Sequence, residues 1–285
     1  MSLREGDADL RIAAQMVPGP EPVVFLHGFG STKEEYADFT RLPGLAGRGF
    51  LARDAPGFGA PTSSRLDLVS VPFLVDVAVA VLEQLAIDRF HVVGHSMGGL
   101  TALLLSGRIP DRVLSFNDIE GNLTAEDCFL SREIVTHHSD DPVTFLTDFA
   151  ARTLAADEFS SALYSSRVLT TVDPHAVRPV FESLVDLSDN GCLLHRFVGL
   201  PMPRIFMYGE QNAHVYYLPE RRRRSVTVVE VEHSGHWPMY SNPPAMWTAL
   251  RKFLDESQAP GEGVPMVGGR AEHRTEHSRP AASPR

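Results

Sequence analysis

The stretch Phe90-His91-Val92-Val93-Gly94-His95-Ser96-Met97-Gly98-Gly99 decides how this chain folds. Phe90 to Val93 reads as a short buried strand, and Met97 to Ser106 as a helix of small and apolar residues. Between them Gly94-His95-Ser96-Met97-Gly98 matches G-x-S-x-G in the context that motif requires, a strand passing directly into a helix. Such a turn is strained and crowded, and glycines beside the serine leave room for the neighbouring strand and helix. Ser96 is thereby lifted above the sheet, where it is the predicted nucleophile.

Working outward, Val23-Val24-Phe25-Leu26 is a β-branched and aromatic run that stops at His27-Gly28, which predicts a buried strand ending in a loop. A further strand is expected over Phe50 to Ala52, ending at Asp54-Ala55-Pro56-Gly57-Phe58-Gly59, where Pro and Gly drive the chain into a loop. Apolar residues at helical spacing from Ser70 to Ile87 predict an amphipathic helix, and Val113 to Ile119 another strand. This alternation predicts an α/β fold with a mostly parallel, doubly wound sheet covered by helices.

From Gly121 to about Leu200 the strand rhythm gives way to a polar, helical pattern with scattered aromatics, expected to form an inserted helical cap. Strands resume over Arg204 to Tyr208 and Val226 to Val231, and Pro243 to Glu256 supplies a closing helix. The expected organisation is a core in two parts, 1–120 and 201–258, around a cap at 121–200. After Ala259 the chain is rich in Pro, Gly, Ser, Arg and His with few large apolar residues, and a disordered tail over 259–285 is expected because so little surface can be buried.

A serine hydroxyl is a poor nucleophile until a base removes its proton. Of the 12 histidines, His236 is the expected base. It lies in Glu232-His233-Ser234-Gly235-His236-Trp237-Pro238, a loop after the last strand and before the last helix, with His233 as its competitor.

His27-Gly28-Phe29-Gly30, the Asp54 to Gly59 loop, Gly94 to Gly99 and Gly235-His236 together resemble the α/β-hydrolase superfamily over about residues 10 to 257. The resemblance implies oxyanion-hole N–H donors at Phe29 and Met97, and packing or backbone-bonding roles for His27 and His95. Members usually carry the triad acid after the penultimate strand, but Tyr208-Gly209-Glu210-Gln211-Asn212 has Asn212 at the expected position. A neutral amide cannot stabilise an imidazolium as a carboxylate does. Glu120, ending the strand Val113 to Ile119, is the expected acid, with Glu210 the alternative. Its placement resembles the branch of haloalkane dehalogenases and zearalenone lactone hydrolases, whose acid follows the sixth strand. Dehalogenases and epoxide hydrolases use an aspartate nucleophile, so with Ser96 in that position acyl transfer to water is the chemistry implied.

Composition narrows the remaining classes. With 26 basic against 36 acidic residues the formal charge is -10, which disfavours nucleic acid and anionic membranes as partners. The short basic run Arg221 to Arg224 is read as a solvated turn. No apolar run is long enough to span a bilayer. The charged first ten residues lack the apolar core of a secretory signal, so a cytoplasmic location is expected. Cys128 and Cys192 lack metal or redox spacing and are read as ordinary thiols. The expected partner is a partly apolar small-molecule substrate, with no metal or organic cofactor. The predicted activity is hydrolysis of an ester, lactone or related acyl bond through a Ser96 acyl-enzyme. Carbon–carbon bond hydrolysis on the same fold and a ligand receptor retaining the pocket are the alternatives.

Overall fold

The computed structural model describes residues 1–60, 62–214 and 226–258; the Arg221 to Arg224 run and the tail from 259 lie outside them. The first three strands are β1 (Ser2–Glu5), β2 (Ala8–Arg11) and β3 (Ala14–Val17), followed by β4 (Val23–Leu26), β5 (Phe50–Arg53) and the short β6 (Thr62–Ser63). Strands β7 (Phe90–His95), β8 (Val113–Ile119), β9 (Arg204–Gly209) and β10 (Thr227–Val231) complete the set. The main sheet runs β10-β9-β8-β7-β4-β5-β3. Every neighbouring pair in it is parallel except β3 on β5.

The parallel sheet, the serine turn and the closing helix lie where the sequence predicts them. What the sequence reading missed is a small antiparallel sheet, β1-β2-β6, and the edge strand β3. The reason is physical: β1 and β2 are four residues long with charged or polar residues alternating among few apolar ones. They are joined at Gly6-Asp7, where Gly6 takes φ +54°, a conformation that glycine supplies at little steric cost in a tight hairpin.

Helices α1 (Val71–Gln84) and α2 (Met97–Arg108) pack on one another and on the sheet. The stretch 121–200 holds α3 (Arg132–Thr136), α4 (Pro142–Leu154), α5 (Ser161–Thr171), α6 (Pro174–Asn190) and α7 (Leu193–Gly199). Helices α1, α4 and α6 share one start signal. Ser70, Asp141 and Asp173 each accept backbone N–H bonds at the N-terminus, and a proline stands in the first turn. The side chain satisfies donors that the helix leaves free, and proline has no N–H to leave unpaired.

On one face of the sheet Phe25 of β4 stacks on Tyr36 at 4.7 Å, and meets Phe39 at 5.2 Å, Phe50 at 5.5 Å and Trp247 of the closing helix Pro243–Gln258 at 6.1 Å. These rings join β4, the segment after it, β5 and the C-terminal helix in one cluster. Removing a fully buried ring forfeits its transfer free energy and leaves a cavity. Phe25→Ala is therefore expected to cost about 3–5 kcal/mol of stability, read as a lowered urea midpoint; a change below about 1 kcal/mol would contradict this packing.

Candidate active site

Ser96 stands between β7 and α2 with φ +51° and ψ -119°, outside the regions that side chains ordinarily favour. Its N–H bonds the carbonyl of Ile119 at the end of β8 at 2.9 Å, and its carbonyl accepts from Leu100. The surrounding glycines are required by contact. A Cβ on Gly94 would press on the carbonyl of Gly98, and one on Gly98 on the carbonyl of Leu26, both closer than real Cβ atoms approach. The turn can form only because these positions carry no side chain.

His236 reaches the same place from the loop after β10. Its backbone carbonyl accepts a 2.8 Å hydrogen bond from Nε2 of His95, so the residue before the serine tethers the residue expected to be its base. His95 is fully buried, and burial lowers its pKa to about 3; it is therefore a neutral imidazole donating from Nε2. His27 behaves alike, with a pKa lowered by burial to about 4. The Ala55 N–H donates to its Nε2 at 2.8 Å, which leaves Nδ1–H to donate to the carbonyl of Gly28 at 2.8 Å. Both histidines bond the backbone, as the resemblance implies.

Glu120 follows β8 directly, at φ +53°. Its Oε1 accepts from Gly209 N–H at 2.6 Å and its Oε2 from Asn212 Nδ2 at 3.0 Å. The same Oε2 lies 3.6 Å from Nδ1 of His236, an atom that is buried and has no hydrogen-bond partner among the described residues. A shift of a few tenths of an ångström would make that contact a hydrogen bond, the kind of tightening that substrate commonly induces. The rival pair is elsewhere: Glu210 accepts from the His233 N–H at 2.8 Å, and both side chains are at least half exposed. Asn212, where an acid is usual, instead donates to Glu120, a partnership the sequence did not disclose because the two are 92 positions apart.

Ser96, Met97, His236 and Phe29 line one chamber, with Glu120 behind His236. Phe129, Leu130, Phe149, Phe181 and Leu184 from the helical stretch roof it, beside Tyr164 and Trp237. Tyr164 and Trp237 stack at 4.4 Å, and Phe129 meets the His236 ring edge-on at 5.8 Å. An outer hollow of about 260 Å³ shares Phe129, Leu130, His236 and Trp237 with the chamber. Gly28, which precedes Phe29, packs against the serine turn, since a Cβ on it would fall 3.2 Å from Ser96 Cβ. Met97 opens α2, where backbone N–H groups have no partner within the helix.

The model of the α/β hydrolase family matches residues 23–249, and the chain belongs to that family. A 2-hydroxy-6-oxononadienedioate/2-hydroxy-6-oxononatrienedioate hydrolase of Pseudomonas putida is 35% identical over 120 residues, 39% of this chain and 40% of that protein. The chain thus aligns with less than half the length of that relative. A solved carboxylesterase-series structure from Nitrososphaera gargenis superposes with TM-score 0.71 at 15% identity, covering 90% of this chain and 98% of the other. An N-acyl homoserine lactonase structure superposes with TM-score 0.68 at 18% identity, covering 92% and 98%. These structures share the fold. No helix among the described residues is long and apolar enough to cross a membrane.

The buried histidines make stability depend on pH. Burial lowers His27 and His91 to about 4 and His95 to about 3, while it raises the Glu35 carboxyl to about 6. Unfolded, a histidine titrates near 6.5 and a glutamate near 4.3. Between those values the unfolded chain holds three extra histidine protons and the folded chain one extra glutamate proton, a net uptake of about two on unfolding. The histidines' contribution is thus fully present above about pH 6.5 and lost as the pH falls toward about 4, and for His95 toward about 3, with Glu35 offsetting part of the loss between about pH 6 and 4.3. The urea midpoint is expected to be clearly lower at about pH 5 than at about pH 7.5, and equal midpoints would show that the histidines are not buried neutral.

Proposed function

We propose that the protein cleaves an ester, lactone or related acyl bond of a partly apolar small molecule through a Ser96 acyl-enzyme. The observation that carries this reading is the convergence of the strained Ser96 turn with His236, itself backed by the doubly hydrogen-bonded Glu120 carboxylate, in one largely apolar chamber.

In the proposed sequence His236 takes the Ser96 proton as Oγ attacks the carbonyl carbon, and Glu120 stabilises the imidazolium and holds its tautomer. The carbonyl oxygen becomes an oxyanion bonded by the N–H groups of Phe29 and Met97, donors worth a few kcal/mol each in transition-state stabilisation. The intermediate collapses as His236 returns the proton to the leaving alcohol. Water, deprotonated by His236, then attacks the acyl-enzyme and releases the acid and free Ser96. The helical stretch 121–200 acts as the cap, covering Ser96 and His236 with Phe129, Leu130, Phe149, Phe181 and Leu184.

Carbon–carbon bond hydrolysis is the second reading, favoured by the name of the Pseudomonas putida relative. A dioate carries two carboxylates, which ordinarily call for cationic partners. The inner chamber is lined by no Lys or Arg among the described residues and includes Asp127, and Arg152 of the outer hollow is already paired with Glu133, so a neutral acyl substrate fits better. Product analysis separates the two readings, since acyl hydrolysis breaks a C–O bond and frees a hydroxyl that the substrate lacked, whereas carbon–carbon cleavage gives a new carboxylic acid and a second fragment with a new C–H bond.

Ser96→Ala should abolish both aryl-ester turnover and labelling by a fluorophosphonate, and labelling that survives it would defeat the assignment. Glu120→Gln should fold normally and lose about 10²- to 10⁴-fold in turnover, the range seen when a triad acid loses its charge. Glu210→Gln and Asn212→Ala should each lose much less. A crippled Glu210→Gln enzyme beside a near-normal Glu120→Gln enzyme would move the acid to the loop after β9.

A further inference from the structure

Helix α5 belongs to the inserted helical stretch, yet it hydrogen-bonds successive residues of the loop that follows β4. The Tyr164 hydroxyl donates to the carbonyl of Phe29 at 2.8 Å, and the Thr171 hydroxyl lies 2.7 Å from the carbonyl of Gly30, nearer than the 3.1 Å to Arg167 O in its own helix. Arg167, between them on the helix, donates to Thr32 Oγ1 at 3.2 Å. Tyr164 is fully buried, and burial pushes its phenol well above the ordinary range, so it stays a donor. The close approach is specific to a glycine: a Cβ on Gly30 would lie 2.6 Å from the Tyr164 oxygen.

The three carbonyls from Gly28 to Gly30 are thus each held by a side chain, in two different ways. The Gly28 carbonyl, which shares a peptide plane with the Phe29 N–H, is held from within the core by His27. The planes on the other side of Phe29 are held by α5. A peptide plane is rigid, but the single hydrogen bond on the Gly28 carbonyl leaves that plane able to swivel, and holding the next plane across Phe29 removes this remaining freedom of the Phe29 N–H. On the far side stands Gly30 at φ +72°, which has no side chain to resist rotation.

We propose that Tyr164 and Thr171 are positioning residues for the oxyanion donor at Phe29, so that the donor is aligned only while the cap helix is docked. The inference rests on the serine-hydrolase reading above. Neither hydroxyl needs to touch the substrate: each acts by restraining a backbone amide whose stabilisation of negative charge is used only in the transition state. Loss of such a restraint lowers kcat and leaves ground-state binding nearly unchanged.

The test uses the full chain with an aryl ester as substrate and a boronic acid as inhibitor, whose tetrahedral adduct on serine carries a negatively charged oxygen in place of the oxyanion. Tyr164→Phe keeps the ring that stacks on Trp237 and removes only the hydroxyl. It is expected to lower kcat about tenfold, leave KM within about twofold, and weaken boronic acid binding by the same factor as kcat. Thr171→Val should act in the same direction, and Thr171→Ser should restore the parent values by restoring the hydroxyl. If Tyr164→Phe melts well below the parent, the Thr171→Val and Thr171→Ser pair decides. Parent-like kcat in both hydroxyl-deleted variants, or a loss confined to KM with boronic acid binding unmoved, would overturn the positioning role while leaving Ser96 as nucleophile. Full turnover by Ser96→Ala would instead overturn the reading on which it rests.

Discussion

The passage of the chain from β7 into α2 at Ser96 is the constraint on which the remaining geometry depends. A non-glycine residue at φ +51° costs on the order of 1–3 kcal/mol and persists only where its surroundings over-determine it. Here they do so through contacts that leave no alternative. The turn is pressed against the carbonyl of Leu26 by the absence of a side chain at Gly98, and its amide is bonded to Ile119. That amide bond joins the nucleophile to the end of β8, and the next residue along β8 is Glu120. The Glu120 N–H bonds Met207 of β9, and its carboxylate bonds Gly209 at the end of the same strand. The ends of three adjacent parallel strands are therefore locked in sequence, so the proposed nucleophile and acid share one rigid frame although different strands carry them.

This frame explains why a carboxylate after β8 can stand where an acid after β9 is usual. β8 lies between β7 and β9 in the sheet, so a side chain leaving its end reaches the gap between the serine turn and the β9 loop. From the β9 side that gap is filled by the Asn212 amide. An acid at 212 would put two carboxylates against one imidazole, with like charges repelling in a poorly solvated site. A neutral donor there removes the repulsion and satisfies one Glu120 oxygen, while the Gly209 N–H satisfies the other. The departure at position 212 and the carboxylate at position 120 are two halves of one arrangement.

What the sequence disclosed and what it hid follow the range of the interactions. The serine turn was legible because the residues that signal it lie within about ten positions: an apolar run, glycines at fixed offsets and a small-residue helix start. The closing helix and the main parallel strands were legible for the same reason, through hydrophobic period. The β1–β2 hairpin was not, because four-residue strands bearing Arg, Glu and Asp present too few apolar positions to set a period. Tyr164 and Thr171 were not legible either. Their partners lie 135 and 141 residues away, and an isolated Tyr or Thr in a helical stretch carries no sign of which backbone carbonyl it will meet. Asn212 gave half a signal: its residue type announced that the acid was elsewhere, but only the folded chain makes it a donor to Glu120.

The two histidine rings beside the serine turn have opposite requirements. A base that accepts a proton in each half of the proposed reaction must alternate between neutral and cationic forms, whereas a cation fixed next to it would oppose every protonation. The rings of His95 and His236 lie 5.1 Å apart, close enough for two positive charges to repel strongly in a medium of reduced dielectric. Burial resolves the conflict, since complete enclosure of His95, with the neighbouring His236 acting in the same direction, lowers its pKa to about 3. Held neutral, His95 uses Nε2–H to grip the backbone of the residue whose charge it must not share. An amide side chain could offer the same hydrogen bond, but not the flat ring that Gly28 makes room for, where a Cβ would fall 2.6 Å from His95 Nδ1. The ring thereby links the loop after β4, the serine turn and the His236 loop through packing and one hydrogen bond, and adds no charge to the chamber.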